Sequence, residues 1–389
     1  MTANRIGIDF SQDYFDLCLA NSDGKPITSK RFSHDQLGSQ AALDYILPLC
    51  QAHPADQVWI GGEATGLLWW HLYQQWAQDD QLAQLNPIFH LLNPAHIKGF
   101  RRSTSRQDKT DPKDARLITR YLGVPDQDLH IWQPDASYWG LRFLTRTRFR
   151  LAHLLASYKL QAYNMLYIKA SAYRQVMPFS DVFGRISLEF LRSYLCLEEV
   201  IRMPVQDLAT ELDQFPGHAH LPDPSQNAAK LGQVARLSYS VDPLVLDSAN
   251  FILNRWIELI EALEKELRTF DRFITQRCES DLDIQNLDRI GGISLIFAAG
   301  LAAELRPIER FFVDDKLDPQ TGIRRPRTAS QAQAAAAKLA GLWWPANQSG
   351  KFNAEERHMP IACNAYLRYY LVEAANHVRE YVAEYGQYY

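Results

Sequence analysis

The sequence is short of the features that most directly classify a protein. Its 389 residues include five cysteines, Cys18, Cys50, Cys196, Cys278 and Cys363, set far apart with no C-x-x-C pair. That spacing argues against a zinc site or a disulfide framework and fits a reducing compartment. Long hydrophobic runs are missing as well. The most apolar stretch, Ile290 to Ala303, is bounded by Arg289 and Glu304 and falls short of the roughly 20 residues that a membrane-spanning helix needs. No apolar signal segment precedes the first strand-like run, so the expected location is the cytoplasm, away from any membrane. A glycine-rich phosphate loop is also absent, which counts against an actin-like sugar kinase. Finally, there is no excess of positive charge: the net charge is −4, so the composition as a whole carries no signal for nucleic acid.

Charge is concentrated locally instead. Between Lys98 and Arg120, eight bases (Lys98, Arg101, Arg102, Arg106, Lys109, Lys113, Arg116 and Arg120) stand against three acids. Arg142, Arg146, Arg148 and Arg150 form a second cluster, and Arg324, Arg325 and Arg327 a third. Any one of these by itself reads as a solvated helix face. The first flanks a run of carboxylates, and a phosphodiester backbone calls for both kinds of group.

The carboxylates form an ordered set. Ile6-Gly7-Ile8-Asp9-Phe10 is a short apolar strand ending in an acid, and Val58-Trp59-Ile60-Gly61-Gly62-Glu63 is another, opening into a helical run from Leu67. Asp108 to Leu122 then reads DKTDPKDARLITRYL. Asp111 suits an N-cap, Pro112 the first helical position, and Asp114 lies three residues on, facing the same side of the first turn. Taken alone, this stretch is a well-capped helix whose acids complement its dipole. Together with the two strand ends, Asp9, Glu63, Asp111 and Asp114 match a ribonuclease H-like sheet, which gathers such groups to hold Mg²⁺, a hard cation that prefers oxygen ligands. Two such ions about 3.5–4 Å apart polarise a phosphate and stabilise both the attacking and the leaving oxygen. Asp108 and Asp111 both stand as candidates for the third acid.

Strand and helix alternate from residue 1 to about 130, with further strands at Tyr14 to Ala20, Ile27 to Phe32 and Ile88 to Leu92 and a helix from Asp35 to Gln51; this implies a layered α/β domain. The pattern then turns helical. Leu141, Leu144, Leu151, Leu155, Tyr158, Ala162 and Met165 recur every three or four residues with only Arg148 out of step, and a second such helix runs from Ile252 to Phe273. Two long amphipathic helices predict a coiled-coil arm, a dimer seam or ordinary bundle packing. Beyond residue 280, Leu287 to Ile293 reads as a helix-hairpin-helix element or a plain glycine turn. A polar, basic loop follows from Asp314 to Arg327. Next come an Ala-rich helix from Ser330 to Leu339, the segment Gly341 to Lys351, and a last helix from Ala362 to Tyr385.

These residues resemble the DEDD-type transposases of bacterial insertion sequences, the IS-one-ten family of bridge-RNA-guided recombinases. In the N-terminal half the resemblance is carried by Ile8-Asp9, Gly62-Glu63 and Thr110-Asp111-Pro112-Lys113-Asp114-Ala115-Arg116. In the C-terminal half it is carried by Ile290-Gly291-Gly292-Ile293, Ala340-Gly341-Leu342, Pro345 followed by Ser349-Gly350, and Asn364-Ala365-Tyr366-Leu367-Arg368. It implies an α/β-plus-α chain: a RuvC-like ribonuclease H domain over residues 1–135, a helical coiled-coil region over 136–280 and a mainly helical C-terminal transposase domain over 281–389. Asp9, Glu63, Asp111 and Asp114 would be the catalytic acids that bind Mg²⁺, and Ser349 the nucleophile that becomes linked to DNA. A serine hydroxyl is a weak nucleophile that needs activation, so this role rests on the resemblance. Arg101, Arg102, Arg106, Lys109, Lys113, Arg116 and Lys351 would contact nucleic acid. The implied partners are donor and target DNA, a structured guide (bridge) RNA and further copies of the chain in a homodimer or tetramer, acting at the nucleoid. The residues themselves leave two competitors: a junction resolvase whose acids activate water while Ser349 stays idle, and a non-catalytic RNA-binding scaffold.

Overall fold

The computed structural model describes residues 2–103, 111–124, 129–133, 135–215, 221–317, 324–345, 348–349, 352–353, 358–360 and 363–388. It divides into two compact units, one made of residues 1–137 with 307–336 and the other of residues 138–306 with 337–389.

The first unit is built on a mixed sheet. Strands β1 (Ala3–Phe10), β2 (Tyr14–Ala20) and β3 (Pro26–Ser33) form an antiparallel meander. After α1 (Gln36–Ala52), β4 (Gln57–Glu63) pairs in parallel with β1. Then come α2 (Trp69–Ala77), the single turn α3 (Asp80–Ala83) and β5 (Pro87–Leu92), parallel to β4. Helices α4 (Pro94–Ser103) and α5 (Asp111–Leu122) lead to β6 (His130–Trp132), which pairs antiparallel with β5 and completes the order β3-β2-β1-β4-β5-β6. Strand β6 carries no pattern legible in the sequence, because three residues are too few to show alternation.

Side-chain alternation assigns the two faces of this sheet. Ile6 and Ile8 of β1 are fully buried, and Phe10, on the same face, packs its ring 6.1 Å from Tyr73 of α2. Trp76 of α2 donates to the Ser39 hydroxyl of α1 at 3.1 Å, so α1 and α2 share that side. Trp69 packs beneath the sheet, with its ring 5.7 Å from Tyr73 and 6.1 Å from Trp132. Gly7 faces the other way: a Cβ there would run into the backbone of Ala115 and Thr119 in α5. The Thr119 hydroxyl lies between the carbonyls of Ala115 at 2.8 Å and Cys18 at 3.0 Å, which ties α5 to β2.

The second unit is helical. The 34-residue α6 (Ala136–Lys169) is followed by α7 (Tyr173–Val176), α8 (Arg185–Ser193), α9 (Leu197–Arg202), α10 (Val205–Gln214), α11 (Pro224–Leu237) and the 36-residue α12 (Pro243–Cys278). Arg148 meets Asp271 at 2.6 Å, Lys159 meets Glu264 at 2.8 Å, and the rings of Tyr158 and Trp256 lie 5.1 Å apart. Higher positions on α6 thus face lower ones on α12, so the two long helices run antiparallel within one chain. Arg148, the residue out of step with its helix's apolar pattern, sits at this seam because Asp271 neutralises it. Leu166, Phe190, Leu231, Leu253 and Ile257 belong to the core that the shorter helices build on this pair.

Helices α13 (Leu282–Asp288) and α14 (Leu295–Leu305) flank the Gly291-Gly292 turn. Strands β7 (Val313–Leu317) and β8 (Arg324–Pro326) form a small antiparallel pair, and α15 (Ala329–Leu339) follows. The chain then contributes β9 (Gln348–Ser349), β10 (Phe352–Asn353), α16 (Ala365–Tyr381) and α17 (Ala383–Tyr388). Among the described residues no helix is long and apolar enough to cross a membrane, and the five cysteines are free thiols.

Candidate active site

In the first unit two of the expected acids lie side by side. The last paired residues of β1 and β4 are Ile8 and Gly62, so Asp9 and Glu63 follow at the same level on neighbouring strands, roughly 5 Å apart along the hydrogen-bonding direction. Both are half-buried. Alternation puts Asp9 on the face of Gly7 and Glu63 on the face of Gly61, over which Leu122 of α5 packs. Helix α5 therefore covers both acids' face. Gly123, just past its end, lies against the Arg5 side chain, while Ala115 and Thr119 lie against Gly7. The helix thus runs opposite to β1, and its first turn, which begins at Asp111, points to the end of the sheet where Asp9 stands.

Asp114 is buried on that first turn, with 6% of its surface exposed. Its carboxylate lies 2.9 Å from the guanidinium of Arg101 on α4. Asp108 is outside the described residues, and so is the side chain of Asp111. Among the described residues no three Asp, Glu, His or Cys side chains converge as a metal cluster. The donor chemistry nevertheless fits Mg²⁺: Asp9 and Glu63 offer carboxylate oxygens at adjacent strand ends, with a helical carboxylate on the face that covers them. Asp114 already has a cationic partner, so an ion would take the place of Arg101.

Two further charged residues belong here that the linear sequence did not single out. Asp16 of β2 is paired directly opposite Asp9 and is buried. Arg31 of β3 holds it with two hydrogen bonds, at 3.2 and 2.8 Å. The second residue is Arg5, which lines a cavity of about 800 Å³ together with Arg101, Lys113, Asp114, Arg116 and Arg120. Five bases around one acid make this a positive recess along α5, suited to phosphate oxygens. Of the residues expected to contact nucleic acid, Arg102, Lys113 and Arg116 are exposed and Arg101 is half-buried; Arg106, Lys109 and Lys351 are outside the described residues.

The second basic cluster has a different role from a solvated face. Glu304 of α14 is fully buried, and Arg146 grips it at 2.7 and 2.9 Å, with Arg142 at 3.4 Å and the Asn364 amide at 2.7 Å. Burial pushes the Glu304 carboxyl up, but the bonds and charges of Arg146, Arg142 and Asn364 outweigh it and hold the group below the usual carboxylate range. Three of the four arginines, Arg142, Arg146 and Arg148, therefore make ion pairs inside the helical unit.

Ser349 belongs to this second unit. Its backbone pairs with Phe352 in the β9–β10 hairpin, and its side chain lies outside what the structure describes.

Residues 6–168 match a family model described as a transposase, of the DEDD insertion-sequence type (IS-one-ten). The match covers less than half of the chain and takes in Ile6 to Phe10 of β1, all of β4 and α5, and nearly all of α6; Ser349 falls outside it. The chain is also similar to the pilin gene-inverting protein of Moraxella bovis, with 25% identity over 205 residues, covering 51% of this chain and 59% of that protein. It thus spans about three-fifths of the length of that relative.

Proposed function

We propose that this chain is a DNA transposase or recombinase of the insertion-sequence type, built on a ribonuclease H-like (RuvC-like) sheet, that breaks and rejoins DNA through a phosphoserine link. The observation that carries the reading is the placement of Asp9 and Glu63 at the ends of adjacent parallel strands under α5, inside the segment that matches a transposase model. The relative named for gene inversion supports the same class of reaction.

The proposed cofactor is Mg²⁺, held by Asp9, Glu63, Asp114 and Asp111; when bound it offsets phosphate charge and polarises the scissile phosphorus. The chain's own residues divide the rest of the work. Arg102, Lys113 and Arg116, with Arg106, Lys109 and Lys351, neutralise backbone phosphates. The Ser349 hydroxyl attacks phosphorus and gives up its proton: an Oγ–P bond forms, the bond from phosphorus to the 3′-oxygen breaks, and that oxygen takes up a proton, so none is gained or lost overall. The products are a phosphoserine joined to one DNA end and a free 3′-hydroxyl on the other. A second 3′-hydroxyl reverses the step and joins a new strand with no outside energy source. Carboxylates that bind metal repel phosphate, so a separate attacking group is needed to hold the cut end. The negative net charge and the lack of a base-reading motif point to a structured guide RNA for site choice, and the strand exchange to a homodimer or tetramer.

The test mixes the protein, RNA from its element, labelled DNA and Mg²⁺, and looks for a denaturation-resistant adduct. Peptide mapping is expected to find the phosphate on Ser349. Ser349→Ala is expected to bind DNA normally yet form no adduct, and Asp9→Ala to fold normally yet lose strand exchange. Efficient cleavage without an adduct would return the chain to a water-using resolvase. A ribonuclease-treated monomer that still selects one DNA site would remove the RNA partner.

A further inference from the structure

We propose that Arg368 is the positioning residue of the loop that carries Ser349, holding both ends of that loop on one guanidinium; the proposal rests on the reading of Ser349 as nucleophile. Arg368 Nε donates to the Ala340 carbonyl at 2.9 Å, and one Nη donates to Gly341 at 3.2 Å and to Pro360 at 2.7 Å. Ala340 and Gly341 leave α15, and Pro360 precedes the cap of α16, so these carbonyls stand on opposite sides of one neck. Asn364 tightens the same closure: its backbone N–H donates to the Leu339 carbonyl at 2.8 Å, while its side chain caps α16 and reaches Glu304. Gly341 is required twice over. Its φ is +68°, which favours glycine, and a Cβ would collide with the Arg368 guanidinium and with Cys363.

The neck matters because of what it encloses. Ser349 lies in a hairpin of two-residue strands, and an isolated two-stranded hairpin is at best marginally stable in water. Fixing the two ends reduces the conformations open to the loop. A nucleophile misplaced by about 1 Å loses on the order of 100-fold in rate. Arginine suits this task because its planar fork addresses several carbonyls at once, whereas a lysine ammonium is a point donor on a flexible stem. Arg368 touches none of the reacting atoms in this scheme and acts through the loop.

The experiment compares the wild-type chain with Arg368→Ala and Arg368→Lys, using the full protein with its RNA, labelled DNA and Mg²⁺. Amide hydrogen exchange of residues 348–353 is measured alongside the rate of adduct formation at saturating DNA. For Arg368→Ala we expect DNA affinity within about 3-fold of wild type, faster exchange in β9–β10, and an adduct rate lower by on the order of 10- to 100-fold. Arg368→Lys is expected to recover part of that rate. An unchanged rate and unchanged exchange in Arg368→Ala would overturn the proposal while leaving Ser349 as nucleophile. Loss of the fold in Arg368→Ala shifts the decision to Arg368→Lys, where wild-type rate and exchange overturn the proposal and a lower rate with intact DNA affinity supports it. Absence of any Ser349 adduct in the wild-type chain would overturn the functional reading and this proposal with it.

Discussion

The guanidinium of Arg101 lies 2.9 Å from the carboxylate of Asp114, so the acid on the covering helix is neutralised by a base from the helix before it. Asp114 is nearly enclosed, with 8% of its side chain exposed, and a buried carboxylate needs such a partner. A cation bound at the proposed metal site would therefore compete with Arg101 for one acid.

That competition is measurable. Arg101→Gln removes the guanidinium charge beside the buried Asp114, and in the presence of EDTA it is expected to destabilise the sheet unit by about 1–3 kcal/mol, less than a fully enclosed pair because Arg101 is partly exposed. Added Mg²⁺ should restore part of the loss, since it binds the folded state. Thermal unfolding against Mg²⁺ concentration reads the result. An equal Mg²⁺-induced rise in Tm for wild type and variant would remove Asp114 from the metal site.

Glu304 makes a pH prediction for the helical unit. Its folded pKa is lowered, so in acid the unfolded chain binds the extra proton. The stabilisation is fully present above the unfolded value of about 4.3 and is lost as pH falls through the lower folded value. Glu304→Gln removes the carboxylate charge that Arg142 and Arg146 share and is expected to cost about 3–5 kcal/mol at pH 7. Urea unfolding at pH 7 and again between pH 3 and 5 checks both points: the variant should be weaker at neutral pH and decline less steeply in acid.

Lys169 makes the opposite kind of test. It is buried at 3% exposure, and its ammonium donates to the Leu191 carbonyl at 2.7 Å. Burial brings its pKa down to about 8, with Glu199 and Cys196 pulling the other way. The unfolded value is about 10.4, so between these two values the unfolded chain holds more protons and stability rises with pH; the penalty is in full force below pH 8. Lys169→Met is expected to gain about 1–2 kcal/mol at pH 7, held below the roughly 3 kcal/mol difference between protonation states because Leu191 loses its donor. Unfolding curves from pH 7 to 10 decide it, and an unchanged slope in the variant would assign the proton to another group.

Local pattern was enough for much of this protein. Short apolar runs marked β1 and β4, each with an acid at its end, Asp9 and Glu63, and the three-and-four spacing marked α6 and α12, because these signals lie within a few residues of one another. Partnership was a different matter. The sequence by itself determined that Arg142, Arg146 and Arg148 are clustered charges, yet it left them as a solvated face, since their acids Glu304 and Asp271 lie 158 and 123 residues beyond Arg146 and Arg148. Asp16 showed no special signal until strand pairing set it opposite Asp9, and Arg368 became a clamp only when α15 and α16 brought both ends of one loop to it. A charge carries no direction in one dimension. Only the tertiary structure decides which opposite group desolvates beside it, because burial makes an unpaired charge too costly to keep.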